Sequence, residues 1–513
     1  MPDEKLEHAR MVRGIAKGAG IVFFSIILSR IFGFIIRALI GRHYGPETYG
    51  LLSTTLSIFT ILSTISLMGF KSSLSRQISY YYHNGHLDRL KFLVVSALFI
   101  SSTIALLLGF GLFSFSESLA SNLFSNQALI PFLKFFGVGL IFFVWMIVAS
   151  AVYRGFKQML LFTLFQDLLR FLVLTILIII AISISAPKES IGLIYLISYL
   201  GVGVSAIISI FIYKPIRESK FFFSIKECGQ LLAFSIPLLF AGIFYSLLFH
   251  VDILMIGYFL GQTRVGIYNS AIPVGQLLTL LSASFTPFLL PVMTEYVAKS
   301  NFQSLREICT ISTKWIFLNT IPIFFYFLFF SEFVITVIFG SKFVESASVL
   351  RIVTVGFLFT VIVGPTAYLL ISLGKVKLHF YNNFIVLIIN ICLNYVLIPK
   401  FGIIGGGIAT AISLLLINAL TLIQVYLITK IQPFSKVFTK VLLIALFIAG
   451  LINFIFRPTS LFEGTAIFLL YILIYFLTLK FTRCFDQNDQ IIFVEIEKKT
   501  GKSFKFFRKI LNV

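Results

Sequence analysis

Arg30 and Arg37 stand seven residues apart inside an otherwise apolar run, so on a helix they share one stripe. A charge near the centre of a bilayer costs about 2.5–3.5 kcal/mol on insertion scales, which makes ionisable residues in such runs functional candidates by default. Two cations on one face suit an anionic ligand. Arg30 is the deeper of the two, and Arg37 can also snorkel to the nearer interface. A second group lies in LLFHVDILMIGYFLG, where His250 and Asp252 are two residues apart, or about 200° around a helix. They cannot share a face. Asp252 is a candidate cation or proton site, or a gating partner for Arg30 or Arg37, and His250 is a candidate for the same coupling or for an interhelical hydrogen bond. Asp167 and Arg170 are three apart, close enough to pair on one helix, which reads as a self-neutralised structural pair.

Other polar residues read as structural. Asn383, Asn390 and Asn394 recur at helical spacing beside Asn382, a pattern of interhelical hydrogen bonding. Lys314 can snorkel, and Arg351 falls near a helix end. Catalytic signatures are missing. Gly501-Lys502-Ser503 lacks the glycine a phosphate-binding loop needs five positions earlier, where Ile496 stands, and neither GxSxG nor HExxH occurs. The four cysteines lie more than eighty residues apart, with no CxxC and no Cys/His pairing. These observations predict a protein that is not an enzyme and has no metal and no cofactor.

The elements that must carry these residues follow from composition. Of 513 residues 58% are hydrophobic and only 12% charged, half the charge of an average soluble chain. Apolar stretches of spanning length, about 17–25 residues, recur from Gly18 to Leu479. Their count predicts an all-α polytopic membrane protein with about fourteen transmembrane helices: 18–40, 46–70, 92–114, 130–153, 160–186, 190–213, 228–258, 265–296, 307–330, 346–373, 378–399, 403–429, 441–456 and 461–479. The N-terminal twenty residues carry acids and amphipathic spacing rather than a cleavable signal peptide.

Charge supplies orientation. The net charge of +21 comes from cations that fall mainly between apolar stretches, which argues against a nucleic-acid partner. With the N-terminus inside, 29 of the 41 Lys and Arg fall on one set of alternating segments and 6 on the other. An even number of spans with both termini cytoplasmic in the plasma membrane fits this distribution. The tail after Thr482 reads as a basic amphipathic segment for the anionic inner leaflet.

An internal repeat is visible. GRHYGPETYGLLS and GYFLGQTRVGIYNS both read G-x3-G-x4-G, through Gly41, Gly45, Gly50 and Gly257, Gly261, Gly266, at an offset of 216. A second echo pairs Gly155 with Gly374 at 219. The expected organisation is two six-helix bundles, 1–215 and 228–430, then two added helices over 441–479 and the tail 480–513. Pro237, Pro273, Pro287, Pro291, Pro322 and Pro365 all fall inside spans of the second half, as packing kinks or as bending elements.

In these residues the chain resembles the polysaccharide transporter branch of the multidrug/oligosaccharidyl-lipid/polysaccharide exporter superfamily, which includes the lipid-linked oligosaccharide flippases. The resemblance is carried by SRIFGFIIRALIGRHYGPETYG (29–50), VDILMIGYFLGQTRVGIYNSA (251–271) and NYVLIPKFGIIGGGIATAIS (394–413). It implies two bundles around a central cavity, alternating between inward and outward openings. It places Arg30 on the arginine of the family's SR-x-x-GF pattern, with Arg37 near a second one, as residues that hold the phosphate of a polyprenyl-linked glycan. Asp252 falls on an acid common at the start of the seventh-helix motif.

The implied function is a flippase for a polyprenyl-linked oligosaccharide in the synthesis of surface polysaccharide or glycoprotein glycans. Its partners would be that substrate, membrane lipids, and a coupling ion or the membrane potential. Two alternatives stand beside it. A multidrug exporter of the same superfamily usually has twelve helices. A membrane glycosyltransferase or glycan polymerase usually needs a sizeable outer loop carrying acids, and the outer segments here are short.

Overall fold

The computed structural model describes residues 2–219, 221, 224–434, 436–482 and 484. The expected basic tail lies, from 485 onward, outside the described residues. All regular structure among the described residues is helical. The first helices are α1 (Pro2–Ser66), α2 (Phe70–His83), α3 (Leu90–Ser114), α4 (Leu129–Gly155), α5 (Met159–Ser183), α6 (Ser190–Ile212), α7 (Ile225–Leu260) and α8 (Gln262–Gln276). After them come α9 (Thr279–Ala298), α10 (Phe302–Phe329), α11 (Ser331–Phe339), α12 (Ser346–Ser372), α13 (Val376–Phe401), α14 (Ile403–Thr429), α15 (Lys436–Ile455) and α16 (Leu461–Phe481).

Among the described residues, 12 stretches are long and apolar enough to cross a membrane. The first, Ile27–His83, has 57 residues, which at 1.5 Å per residue is about 86 Å, nearly three hydrocarbon cores. It cannot cross as one rod. At Gly45 the backbone leaves helical geometry (φ 83°, ψ −179°), a conformation that glycine adopts without steric cost. A second break at Met68 and Gly69, both with positive φ, starts α2. This stretch therefore holds the first two expected spans. Eleven more expected spans coincide with the remaining windows. The eighth, 265–296, is corrected: it is two helices, α8 and α9, separated where the backbone tightens into i→i−3 hydrogen bonds from Leu277, Leu278 and Leu280.

Two compact units divide the chain, Met1–Asn269 and Ser270–Val513. In the first, α4 is central, with 67% of its apolar window buried, and packs on α3, α6 and α2. Its core is aromatic: Phe59 of α1 lies flat on Tyr199 of α6 at 5.2 Å and edge-on to Phe136 of α4. In the second unit α10 is equally buried, and α12 packs on α14. The two added helices are tied in by tyrosine hydroxyls: Tyr475 of α16 donates to the Leu318 carbonyl of α10 at 2.9 Å, Tyr326 of α10 to Gly464 of α16 at 3.0 Å. α16 begins on a capping box, with Ser460 and Glu463 satisfying each other's backbone donors.

Backbone turns carry the internal repeat further than the glycine motif does. Residues with positive φ recur in the same order in both halves: Gly45 and Gly261, Gly85 and Ser300, Ser125 and Gly340, Lys157 and Gly374, Ser185 and Gly402. Their offsets run from 215 to 217. Gly45 and Gly261 match closely, at φ 83° and 84° with ψ near 180° in both. The second sequence echo is shifted by two residues. Gly155 is helical and packs on Ile78, and the left-handed residue equivalent to Gly374 is Lys157.

Candidate functional site

The first unit assembles most of the predicted site residues. α1 presents Arg30 exposed and Arg37 half-buried. Between them Gly33 lets α1 approach α5, since a Cβ there would lie 3.3 Å from the Phe171 ring. Phe171 in turn carries the Arg170 guanidinium 4.4 Å above its ring centroid. One small residue thereby draws the Arg30/Arg37 stripe beside Arg170.

Arg37 is within electrostatic reach of Tyr49, Tyr195 and His250, and Arg30 of Tyr245. Neither arginine forms an ion pair among the described residues. The other cations of the spans are occupied differently. Lys134 meets Glu117 at 3.0 Å and Arg351 meets Glu332 at 2.8 Å, both pairs substantially exposed, and Lys314 is buried in α10. Arg30 and Arg37 are thus the intramembrane cations most available to an anionic ligand.

Asp167 and Arg170 form the expected pair, at 2.9 Å. Asp167 sits in a π-helical turn, Leu164–Leu168, within α5. His250 and Asp252 occupy separate environments, as their spacing requires. His250 Nδ1 lies 3.3 Å from Ser57 Oγ of α1, whereas Asp252 is buried and its Oδ2 accepts a hydrogen bond from the Tyr268 hydroxyl of α8.

Sequence reading missed the crossing that frames Asp252. A Cβ on Gly50 would stand 1.8 Å from the Gln262 carbonyl oxygen, and one on Gly266 would stand 1.9 Å from that of Pro46. The third glycines of the two repeated motifs therefore lie against each other, backbone on backbone. Around them Thr54 donates to Gln262 Oε1 at 2.6 Å and Asn269 to Ser53 Oγ at 2.8 Å. The paired G-x3-G-x4-G motifs and the hydroxyl run Ser53-Thr54-Thr55 were the available signals.

In the second unit the asparagines tie helices together. Asn382 exchanges two 2.9 Å hydrogen bonds with Gln424 of α14, and Asn390 donates to Ser413 of α14 at 3.0 Å. Asn382, Asn390 and Asn394 are buried and Asn383 is half-buried, so the inward set runs through Asn382 rather than Asn383. Pro237, Pro273, Pro322 and Pro365 lie inside helices. No cluster of three or more His, Cys, Asp or Glu able to hold a metal exists among the described residues.

A multi-pass helical membrane protein with cations set into its spans is the class this fold defines. Residues 15–297, more than half of the chain, match the family described as polysaccharide biosynthesis protein, and the chain belongs to that family. Residues 237–396 also match the MatE family. The chain is 32% identical over 175 residues to the probable low-salt glycan biosynthesis flippase Agl15 of Haloferax volcanii, a match spanning 34% of this chain and 36% of that protein, about a third of its length. It is 24% identical over 458 residues to the uncharacterized membrane protein MJ1068 of Methanocaldococcus jannaschii, covering 84% and 88% of the two chains. In fold it is similar to lipid II flippase MurJ in an inward closed conformation, with a TM-score of 0.72, 17% identity and coverage of 90% of this chain and 98% of that one. An inward-facing multidrug resistance MATE family transporter gives a TM-score of 0.68, with 13% identity over 78% and 94% of the chains.

Proposed function

We propose that this protein is a flippase that moves a polyprenyl-linked oligosaccharide from the cytoplasmic to the outer leaflet by alternating access. Arg30, with Arg37, holds the phosphate of the lipid carrier while the glycan follows. The observation that carries this reading is two arginines on one stripe of α1, unpaired among the described residues, where an uncompensated charge is costly unless an anion meets it. The glycan-flippase name of the Haloferax volcanii relative supports the same substrate class.

Both termini face the cytoplasm in this reading, which the 29-to-6 asymmetry of Lys and Arg supports. Asp252, held by Tyr268, and His250, beside Ser57, couple an ion or gate the movement of α7 against α1 and α8. In proteoliposomes carrying a fluorescent polyprenyl-pyrophosphate oligosaccharide, Arg30→Ala should abolish leaflet exchange while the protein elutes as the same folded species. Wild-type exchange in that variant overturns the assignment. The MatE match over residues 237–396 favours one other reading, a multidrug exporter. Drug efflux on expression, with no change in surface glycan, would establish it instead.

A further inference from the structure

The pair Asp167–Arg170 is placed badly for a structural tie and well for a site. Both residues stand on α5, so their 2.9 Å contact joins no two helices. The π-helical turn Leu164–Leu168 adds a residue to the helix there and re-aims the side chains around it, a device that recurs at functional sites. The guanidinium is held by rings rather than by the carboxylate alone: Phe171 at 4.4 Å, Phe143 at 5.6 Å and Tyr199 at 6.0 Å. Its Nε is buried and has no hydrogen-bond partner among the described residues. Asp167 is the more exposed member, 37% against 14% for the arginine side chain, and its Oδ2 accepts from Gln166 Nε2 at 3.1 Å.

Charge around the pair is out of balance. Lys71, at the start of α2, is within electrostatic reach of both Asp167 and Arg154, the latter at the end of α4. The cluster holds three cations and one carboxylate, an excess of two positive charges, with Lys71 and Arg154 exposed at helix ends and Arg170 set deeper. A pyrophosphate diester carries two negative charges.

Depth gives the cluster a direction. The Glu47–Lys188 contact at 3.7 Å puts the Gly45 bend and the α5–α6 loop at the same end of the unit. Counted at 1.5 Å per residue, Arg37 lies about 12 Å from the bend, Arg170 about 20 Å from the end of α5, and Lys71 and Arg154 at the far ends of their helices. The cations form a ladder through the first unit, and Asp167 is the acid beside its middle rung.

We propose that Asp167 is a displaceable counter-ion: it keeps the Arg170 guanidinium aimed and neutralised until the pyrophosphate of an incoming lipid-linked substrate, drawn past Lys71 and Arg154, takes its place. This rests on the flippase reading and deepens it, by adding a second anion station to the one at Arg30 and Arg37. Asp167 is a positioning residue, and its return to Arg170 promotes release toward the next station.

The test uses the purified full-length protein in detergent with farnesyl pyrophosphate as probe, farnesol as control, and elution profile and melting temperature as fold controls. Asp167→Asn should bind farnesyl pyrophosphate about three- to tenfold more tightly than wild type, yet exchange lipid-linked oligosaccharide more slowly in proteoliposomes. Arg170→Gln should weaken binding at least fivefold, and Arg170→Lys, which keeps the charge if the glutamine variant does not fold, should weaken it less. The double variant Asp167→Asn/Arg170→Gln should bind like Arg170→Gln alone. Unchanged or weaker binding in Asp167→Asn, with a lowered melting temperature, overturns the counter-ion role and leaves a structural pair. If wild type binds farnesyl pyrophosphate no better than farnesol, the flippase reading falls, and this inference with it.

Discussion

The two repeats turn at the same five places and use different residues to do so. In the second, four of the five left-handed positions are glycine, at Gly261, Gly340, Gly374 and Gly402. In the first only Gly45 and Gly85 are, while Ser125, Lys157 and Ser185 accept a conformation that costs an L-residue about 1–2 kcal/mol. The spans between those turns differ in a complementary way. The first repeat sets Arg30, Arg37 and the Asp167–Arg170 pair among its helices, and the second sets prolines and hydrogen-bonded asparagines there. The two repeats share one set of turns and differ in what lies between them, ionisable side chains in the first and prolines and asparagines in the second.

That contrast is broken most severely where the repeats share one device. Gly50→Leu or Gly266→Leu should prevent recovery of folded protein, because the new side chain would start 1.8–1.9 Å from a carbonyl oxygen that belongs to the backbone. Gly111→Leu, with nothing within 4 Å of its would-be Cβ, should be recovered normally by size-exclusion chromatography. Next in size is the difference between cations. Arg37→Ala should lower lipid-linked oligosaccharide exchange tenfold or more, whereas Arg351→Ala in the second unit, which removes only an exposed pair with Glu332, should stay within about twofold.

Smaller effects sharpen the comparison. Asn390→Ala should cost about 0.6–1.7 kcal/mol of stability in a detergent unfolding assay by removing the hydrogen bond to Ser413, with exchange per folded molecule preserved. The smallest change tests the turns themselves. Lys157→Gly should gain up to about 1 kcal/mol and Gly374→Lys should lose a similar amount, measured as paired shifts in melting temperature. Equal and opposite shifts at 157 and 374 would mark the two turns as equivalents, and the Gly155 register would be excluded.

Much of this was legible in the chain. Period and length placed thirteen of the fourteen expected spans, because a helix in lipid must satisfy its own backbone and therefore announces itself as an apolar run. The eighth escaped because an apolar run does not record where the backbone tightens between α8 and α9. Charge singled out Arg30, Arg37, Asp167, Arg170, His250 and Asp252 for the same reason, since ionisable residues in lipid are expensive and stand out. Lys71, Gln262 and Tyr268 did not stand out: the first two begin helices, where polar residues are ordinary, and a tyrosine inside an apolar run carries no charge.

What the sequence determined by itself was therefore whatever the solvent imposes residue by residue: a polytopic helical chain, the repeated glycine motif, and a short set of suspect ions. Tertiary structure alone decided which of those ions meet. Gly33 against Phe171 brings α1 to Arg170, Gly50 against Gly266 locks the repeated motifs together, and Tyr268 donates to Asp252 Oδ2. The two glycine contacts join residues far apart in the chain and are set by how closely two helices can approach, a distance no local pattern encodes.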